Sequence, residues 1–333
     1  MKILVVAPAW VGDTVMAQPM FRLLHERHAN LALDVLAPPF TLPLLSRMSE
    51  VRRAIVARFG HGELKFGERR RLAHELQAER YDQAIVLPNS LKSALIPLLA
   101  KIPIRTGFRG EMRFGLLNDL RTLDEAALPQ MAERFAALAF DRGKPLPRPL
   151  VSPRLISRPE DREIIVKKQE LTINKPVAVL CPGAEYGPAK RWPAEHFATL
   201  AQQLAQKGYA VWLVGSPKDA EIGDAIVQAS AGVCINLCGK TALDEAIDLI
   251  ACAALVVTND SGLMHVAAAL DRPMLALYGS SSPGFTPPLS DQARVINLHL
   301  PCSPCFKREC PLGHFNCMRQ MTPDQVLQRL PSQ

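Results

Sequence analysis

The 333-residue chain is 48% hydrophobic, 21% charged and 6% aromatic, with a formal charge of +7 and eight cysteines. That balance excludes a disordered or fibrous chain, and no apolar run approaches the ~18 residues of a membrane-spanning helix. A single core stops growing at roughly 250–300 residues, so two domains are expected, and the positive balance favours acidic partners: nucleic acid, a phosphorylated lipid surface or a nucleotide.

The amino terminus, MKILVVAPAWVGD, has one lysine and only a short apolar run. It reads as a first strand and not as an export signal, so a cytoplasmic protein with reduced, metal-bound or buried cysteines is expected. Lys2–Pro8 predicts a strand, Ala9–Asp13 a turn around Gly12, and Thr14–His28 a helix interrupted by Pro19. Strands at 33–36, 53–56, 83–87 and 104–107 then alternate with helices at 41–47, 64–79 and 90–101, and a further helix is predicted at 130–140. Gly143–Pro159 holds five prolines in 17 residues, a linker composition. It sets the expected domains at 1–150 and 151–333. The second series has strands at 177–180, 210–214, 234–237, 255–257 and 274–277, helices at 161–170, 194–206, 220–229 and 243–252, and a last helix at 323–330. Such alternation predicts an α/β protein with parallel sheets covered on both faces.

The chain is organised around Ala254–Leu270, ALVVTNDSGLMHVAAAL. An apolar strand runs into Asn259-Asp260-Ser261-Gly262 and then into a packed helix. Asp260 and Ser261 suit a helix N-cap, and Gly262 lets a ligand approach the backbone. The free N–H groups and positive dipole end of that helix make an anion site, with His265 on the first turn. Four loops at strand ends gather the remaining candidates: Trp10–Asp13, Pro182–Trp192 with Lys190 and Arg191, Gly215–Glu221, and Asn259–His265. Asp13 reads either as a helix cap or as a general base. Lysines, a carboxylate and helix starts together suit a nucleotide with a diphosphate and a ribose. No GxGxxG follows the first strand and no GxxxxGK[ST] occurs, which argues against ordinary dinucleotide and P-loop sites.

The motifs WVGDTVMAQP (10–19), LPNSLKSAL (87–95), GAEYGPAKRWP (183–193), NDSGLMHVAAAL (259–270) and CSPCFKREC (302–310), in this order, carry a resemblance. The chain is similar to the heptosyltransferases of lipopolysaccharide inner-core synthesis, glycosyltransferase family nine. The resemblance implies two Rossmann-like domains facing across a cleft in a GT-B arrangement, the first binding acceptor and the second sugar nucleotide. It implies inverting transfer of L-glycero-D-manno-heptose from ADP-heptose to a heptose on the Kdo–lipid A core. By matching motif, Asp13 is the general base and Lys190 faces the diphosphate. Asp260, Ser261, Gly262 and His265 hold the sugar nucleotide, Thr241 lies near the adenine, and Glu221 lies near the ribose in preference to Asp219. Glu185 stands in the donor loop with Tyr186, where a related pattern has hydroxyl residues.

No Asp-x-Asp pair occurs at 259–265, so catalysis without an obligatory metal is expected. Arg52, Arg53, Arg58, Lys65, Arg69, Arg70, Arg71, Arg105, Arg109 and Arg113 are expected in part to meet the anionic glycolipid acceptor, with peripheral contact at the inner face of the inner membrane and no insertion. Cys302-x2-Cys305-x4-Cys310-x6-Cys317, enclosing His314, has spacing that suits a structural zinc. The competing readings are a sister heptosyltransferase with another acceptor such as Kdo, or a basic, zinc-stabilised nucleic-acid-binding protein. The second lacks aromatic stacking platforms. A two-domain solute-binding protein should carry an export signal, and none is seen.

Overall fold

A computed structural model describes residues 1–59 and 63–330. The chain divides into two compact units, Met1–Pro153 and Arg154–Gln333.

In the first unit β1 (Lys2–Val6) leads into α1 (Val11–Arg27), followed by β2 (Ala32–Ala37), α2 (Leu42–Leu45), β3 (Arg53–Val56) and α3 (Phe66–Gln77). β4 (Gln83–Val86), α4 (Leu91–Leu99), β5 (Ile104–Phe108), β6 (Asp119–Arg121) and α5 (Met131–Ala137) complete it. All strands are parallel, in the order β3-β2-β1-β4-β5-β6. Ile3–Val6 and Leu33–Ala37 are buried throughout, as strands covered on both faces must be. Leu4, Val6, Leu36, Ala84 and Val86 pack with Ala73, Leu76, Ala94 and Ile96 from the helices on one face.

The second unit opens with α6 (Pro159–Lys168), whose first residue is the last proline of the linker-like stretch, where a missing N–H costs nothing. It continues through β7 (Val177–Cys181), α7 (Ala194–Gln206), β8 (Ala210–Leu213), α8 (Ala220–Ala229), β9 (Cys234–Asn236) and α9 (Leu243–Ala251). Then come β10 (Leu255–Asn259), α10 (Gly262–Ala269), β11 (Met274–Tyr278), β12 (Ala293–Asn297), α11 (Asn316–Arg319) and α12 (Pro323–Leu327). Its parallel order is β12-β11-β10-β7-β8-β9. Counted from its own first strand, this is the same 3-2-1-4-5-6 order as the first unit, the doubly wound Rossmann topology. Leu180, Leu213, Val257 and Leu277 pack beneath Phe197, Leu200 and Leu204 of α7, with Met318, Met321 and Val326 from the tail.

The structure corrects the sequence reading at several places. Val11, Gly12 and Asp13 already lie in α1, not in a turn before it. Trp10 takes the cap position with extended φ and ψ, and its carbonyl accepts both the amide and the hydroxyl of Thr14 at 2.9 Å. Asp13 is therefore in the first helical turn. Pro19 lies inside α1, which runs through it. β6 and β12 escaped prediction because both are edge strands of mixed polarity, DLR and ARVIN, without an apolar run.

Candidate functional site

In a doubly wound sheet the crevice lies outside the carboxyl ends of the strands, where the winding reverses. Here that is between β7 and β10 in the second unit and between β1 and β4 in the first. The loop after β7 carries Lys190, and the turn after β10 carries Asp260 and Ser261. Across this reversal point Lys190 Nζ donates to Asp260 Oδ2 at 2.5 Å. The two residues named independently from sequence thus form one ion pair, with Asp260 4% exposed and the lysine side chain 18% exposed.

The loop is locked in place by a residue given no role from sequence. Asn259, fully buried at the end of β10, accepts from the Trp192 amide at 3.1 Å and donates to the Pro182 carbonyl at 2.7 Å. It ties both ends of the Lys190 loop to the neighbouring strand. Trp192 is buried in turn, and its indole N–H donates to the Met321 carbonyl at 2.7 Å. Ser261 occupies the N-cap of α10 with extended backbone, as expected, but its side chain makes no capping bond. The first amides of α10 are therefore left without a side-chain acceptor from the cap, at the positive end of the helix. Gly262 opens the helix, and His265 is buried on its first turn. Burial pushes the imidazole pKa down to about 4, against the smaller upward pull of Asp260, so the ring is neutral near pH 7.

The other donor-side candidates follow the strand order. Glu185, in the β7 loop, pairs with Lys218 at 2.5 Å, and both are exposed. Beyond β8, Asp219 is spent inside its own turn: its carboxylate accepts from the Ser216 amide at 2.9 Å and hydroxyl at 2.7 Å. Gly183 lies so close that a Cβ there would come within 2.4 Å of that carboxylate. Glu221 stands exposed in the first turn of α8. Beyond β9, the Thr241 hydroxyl is buried without a hydrogen-bond partner. So Asp260, Lys190, Glu221 and Thr241 follow successive strand ends, β10, β7, β8 and β9, along three interstrand steps or roughly 14 Å. That linear order suits an elongated ligand with an anionic group at the β7–β10 end. On the other side of β10, Ser280 and Ser281 follow β11 with buried hydroxyls that lack partners. Sequence reasoning passed over them, since a serine run after a strand looks like an ordinary turn.

In the first unit Asp13 lies after β1 and Leu87–Ser90 after β4, so both border the reversal point of that sheet. Arg113, 1% exposed, fastens the β4 loop to the β5 loop: its guanidinium donates to the Pro88 carbonyl at 2.6 Å, Asn89 Oδ1 at 3.1 Å and the Phe108 carbonyl. This corrects part of the cationic acceptor set. Arg113 is a structural clamp. Arg69 is buried likewise, donating to three backbone carbonyls and stacked on Phe59 at 3.8 Å. Arg105 is held by the Leu116 and Ile102 carbonyls at 2.7 Å. Arg52 and Arg53 pair with buried Asp34, and Arg53 also with Glu79, near the amino ends of the strands and away from the ligand edge. Lys65 pairs with Glu63 at 3.0 Å. Arg58, Arg70, Arg71 and Arg109 stay exposed.

In the tail all four cysteines are free thiols. Cys310 Sγ accepts from the Phe315 amide at 3.4 Å and lies 3.9 Å from His314 Nδ1. Among the described residues, no three His, Cys, Asp or Glu side chains already converge as a ligand set.

The family model described as glycosyltransferase family 9 (heptosyltransferase) matches residues 69–316. The chain is 52% identical to lipopolysaccharide heptosyltransferase 2 of Salmonella typhimurium, over 100% of this chain and 98% of that protein. It is 51% identical to lipopolysaccharide heptosyltransferase 2 of Escherichia coli K12, over 99% and 97%. Among solved structures, ADP-heptose lps heptosyltransferase II of E. coli matches with a TM-score of 0.89 at 50% identity, covering 98% of this chain and 97% of that one. A glycosyl transferase family 9 structure from Veillonella parvula shares the fold, with a TM-score of 0.79 at 23% identity over 89% and 85% of the two chains.

Proposed function

This chain belongs to glycosyltransferase family 9, the heptosyltransferases, and from that premise we propose that it is an inverting enzyme of lipopolysaccharide biosynthesis. It moves L-glycero-D-manno-heptose from ADP-heptose to the first heptose of the Kdo–lipid A core. The observation that carries the donor half of this reading is the Lys190–Asp260 pair beside the amino end of α10, at the reversal point of a Rossmann sheet.

The donor diphosphate lies over the free amides of α10 and against Lys190. As the glycosidic bond breaks, negative charge grows on the departing phosphate, and these fixed donors stabilise it without reorganising. Asp260, held by Lys190, accepts from sugar hydroxyls, and neutral His265 lies behind them. Glu221 meets the ribose, Thr241 the adenine side, and Glu185 lines the donor loop. Asp13 accepts the proton of the acceptor hydroxyl as it attacks the anomeric carbon, a task a carboxylate performs near neutral pH. The first unit takes the acceptor and the second the donor.

The transfer needs no obligatory metal. EDTA treatment followed by chelator removal should leave most of kcat at saturating donor, and a loss of kcat restored only by added divalent ion would defeat this point. Activity should fall at least about 100-fold in Asp13→Asn with folding intact; a change of only a few fold removes Asp13 as the base. Specificity is tested by assaying ADP-heptose against other sugar nucleotides, with Kdo–lipid A bearing or lacking its first heptose. Transfer only to the heptosylated acceptor is expected, and transfer to bare Kdo–lipid A assigns the enzyme to the earlier step.

Peripheral contact with the inner face of the inner membrane follows from the lipid-linked acceptor. No helix among the described residues is long and apolar enough to cross a membrane. Support comes from exposed apolar residues on loops at the carboxyl ends of the first sheet, Trp10, Phe40, Leu64, Met112 and Phe114, with exposed Arg58 and Arg109 among them. Such a mixture suits an anionic lipid interface.

A further inference from the structure

The tail after β12 presents a second cluster of chemistry-bearing groups that heptosyl transfer does not use. Cys302, Cys305, Cys310 and Cys317, with His314, line one cavity of about 20 Å³. A cavity needs only ~10–15 Å³ to hold a water-sized atom, so this one has room for a single atom or ion and little else.

The surrounding backbone resembles a pair of ligand-bearing knuckles more than an ordinary loop. Cys302-x2-Cys305 is followed by Phe306 at φ 54°, and Cys310 leads into Gly313 at φ 69° and Phe315 at φ 53°. Two non-glycine residues held in the left-handed region cost of order 1–3 kcal/mol each, and they persist only where something over-determines the chain. Apolar burial supplies little of that here: Phe306 is 48% exposed, and Phe315 is only partly buried. The Phe315 amide points at Cys310 Sγ, at 3.4 Å. His314 is a poor ligand in this set. Its Nδ1 is already engaged, accepting from the Asn316 amide at 3.0 Å. Four sulfurs remain, the donor set of a tetrahedral thiolate site.

We propose that Cys302, Cys305, Cys310 and Cys317 bind one structural zinc ion that staples residues 302–317 and, through them, the loop that presents Lys190. Ligation turns the thiols into the cavity they already line. The coupling to Lys190 is direct. The Ala189 amide donates to the Arg308 carbonyl at 3.0 Å, and the Tyr186 hydroxyl donates to the Phe306 carbonyl at 2.8 Å. Gly187 packs so tightly that a Cβ would come within 2.5 Å of the Arg308 carbonyl oxygen. Lys190 and Arg308 both lie over the Tyr186 ring, at 5.2 and 5.4 Å. The stapled segment therefore forms one wall of the loop. The zinc site stands whether or not the acceptor assignment above is correct.

The test is elemental analysis of the full chain purified without chelator or added metal. About one zinc per chain is expected, released in step with modification of four thiols by an organomercurial. Cobalt substitution should give the intense visible bands of tetrahedral thiolate ligation. Cys302→Ser and Cys310→Ser should hold less than about a tenth of an equivalent, whereas Cys234→Ser and Cys252→Ser keep one. Zinc removal should open Lys307 and Arg308 to trypsin and raise the donor KM about tenfold. One equivalent of iron in place of zinc, lost in the same two variants, would overturn the assignment of the ion as zinc. Wild-type protein with no metal, its tail thiols freely reactive or joined in disulfides, overturns the proposal without any variant having to fold.

Discussion

Lys190 and Asp260 show what a single pair controls. Asp260 is almost completely buried, and its charge is compensated by one ammonium. Removing one partner of such a pair leaves an uncompensated charge, at a cost of about 3 kcal/mol. Lys190→Ala should therefore lower the unfolding free energy by about that amount and kcat by about 100-fold. Adding Asp260→Asn should restore most of the stability and none of the activity. If the double variant is as unstable as the single, the pair is not the source of the loss. His265 contributes a pH dependence with a definite sign. Its folded pKa, about 4, lies below the unfolded value of 6.5, so the unfolded chain takes up the proton first as pH falls. Stability from this site is full above pH 6.5 and declines from there toward pH 4. At pH 5 the loss is about 2 kcal/mol, from 1.5 pH units at 1.36 kcal/mol each. Urea melts of wild type and His265→Gln at pH 7.5 and pH 5 should differ by that increment, and parallel pH dependences would show that His265 is solvated.

At the scale of elements, most of the architecture was legible because both sheets are buried on both faces, so their strands read as apolar runs. α7 and α8 were bounded from sequence to the residue, and α10 was expected to start near Gly262, where it does. What escaped was whatever depends on a distant partner. Arg69 and Arg113 look like surface charge in sequence, yet tertiary carbonyls draw their guanidinium groups inside. Nothing in Asn259 announces that its amide will meet Trp192 and Pro182 across 67 and 77 residues. Asn259 therefore separates positioning from chemistry. Asn259→Ala frees the Lys190 loop without touching a charged group, so the donor KM should rise about tenfold while kcat falls less than about threefold. Equal loss in kcat and kcat/KM would instead assign Asn259 to the transition state. Gly183→Ala tests the same wall sterically. A methyl 2.4 Å from the Asp219 carboxylate must push it off the Ser216 turn, with an expected cost of 1–3 kcal/mol in thermal or urea unfolding.

For the whole molecule, the repeated topology has a consequence that either unit can be asked to demonstrate alone. Each has a complete six-stranded sheet in the same winding order and a hydrophobic core built from its own helices. The division falls at Pro153 and Arg154, within the proline-rich stretch. The expected donor residues, Glu185, Lys190, Glu221, Thr241, Asp260, Ser261, Gly262 and His265, all belong to the second unit, whereas Asp13 belongs to the first. A fragment of residues 154–333 should then melt cooperatively and bind ADP within about threefold of the full chain, a difference under ~0.7 kcal/mol. It should transfer no heptose, because the proposed proton acceptor, Asp13, and the proposed acceptor surface are missing. Isothermal titration with ADP, beside a transfer assay, separates the two properties. A folded fragment that has lost ADP affinity by 100-fold would mean that the first unit supplies donor contacts, and the division of labour between the two sheets would have to be redrawn.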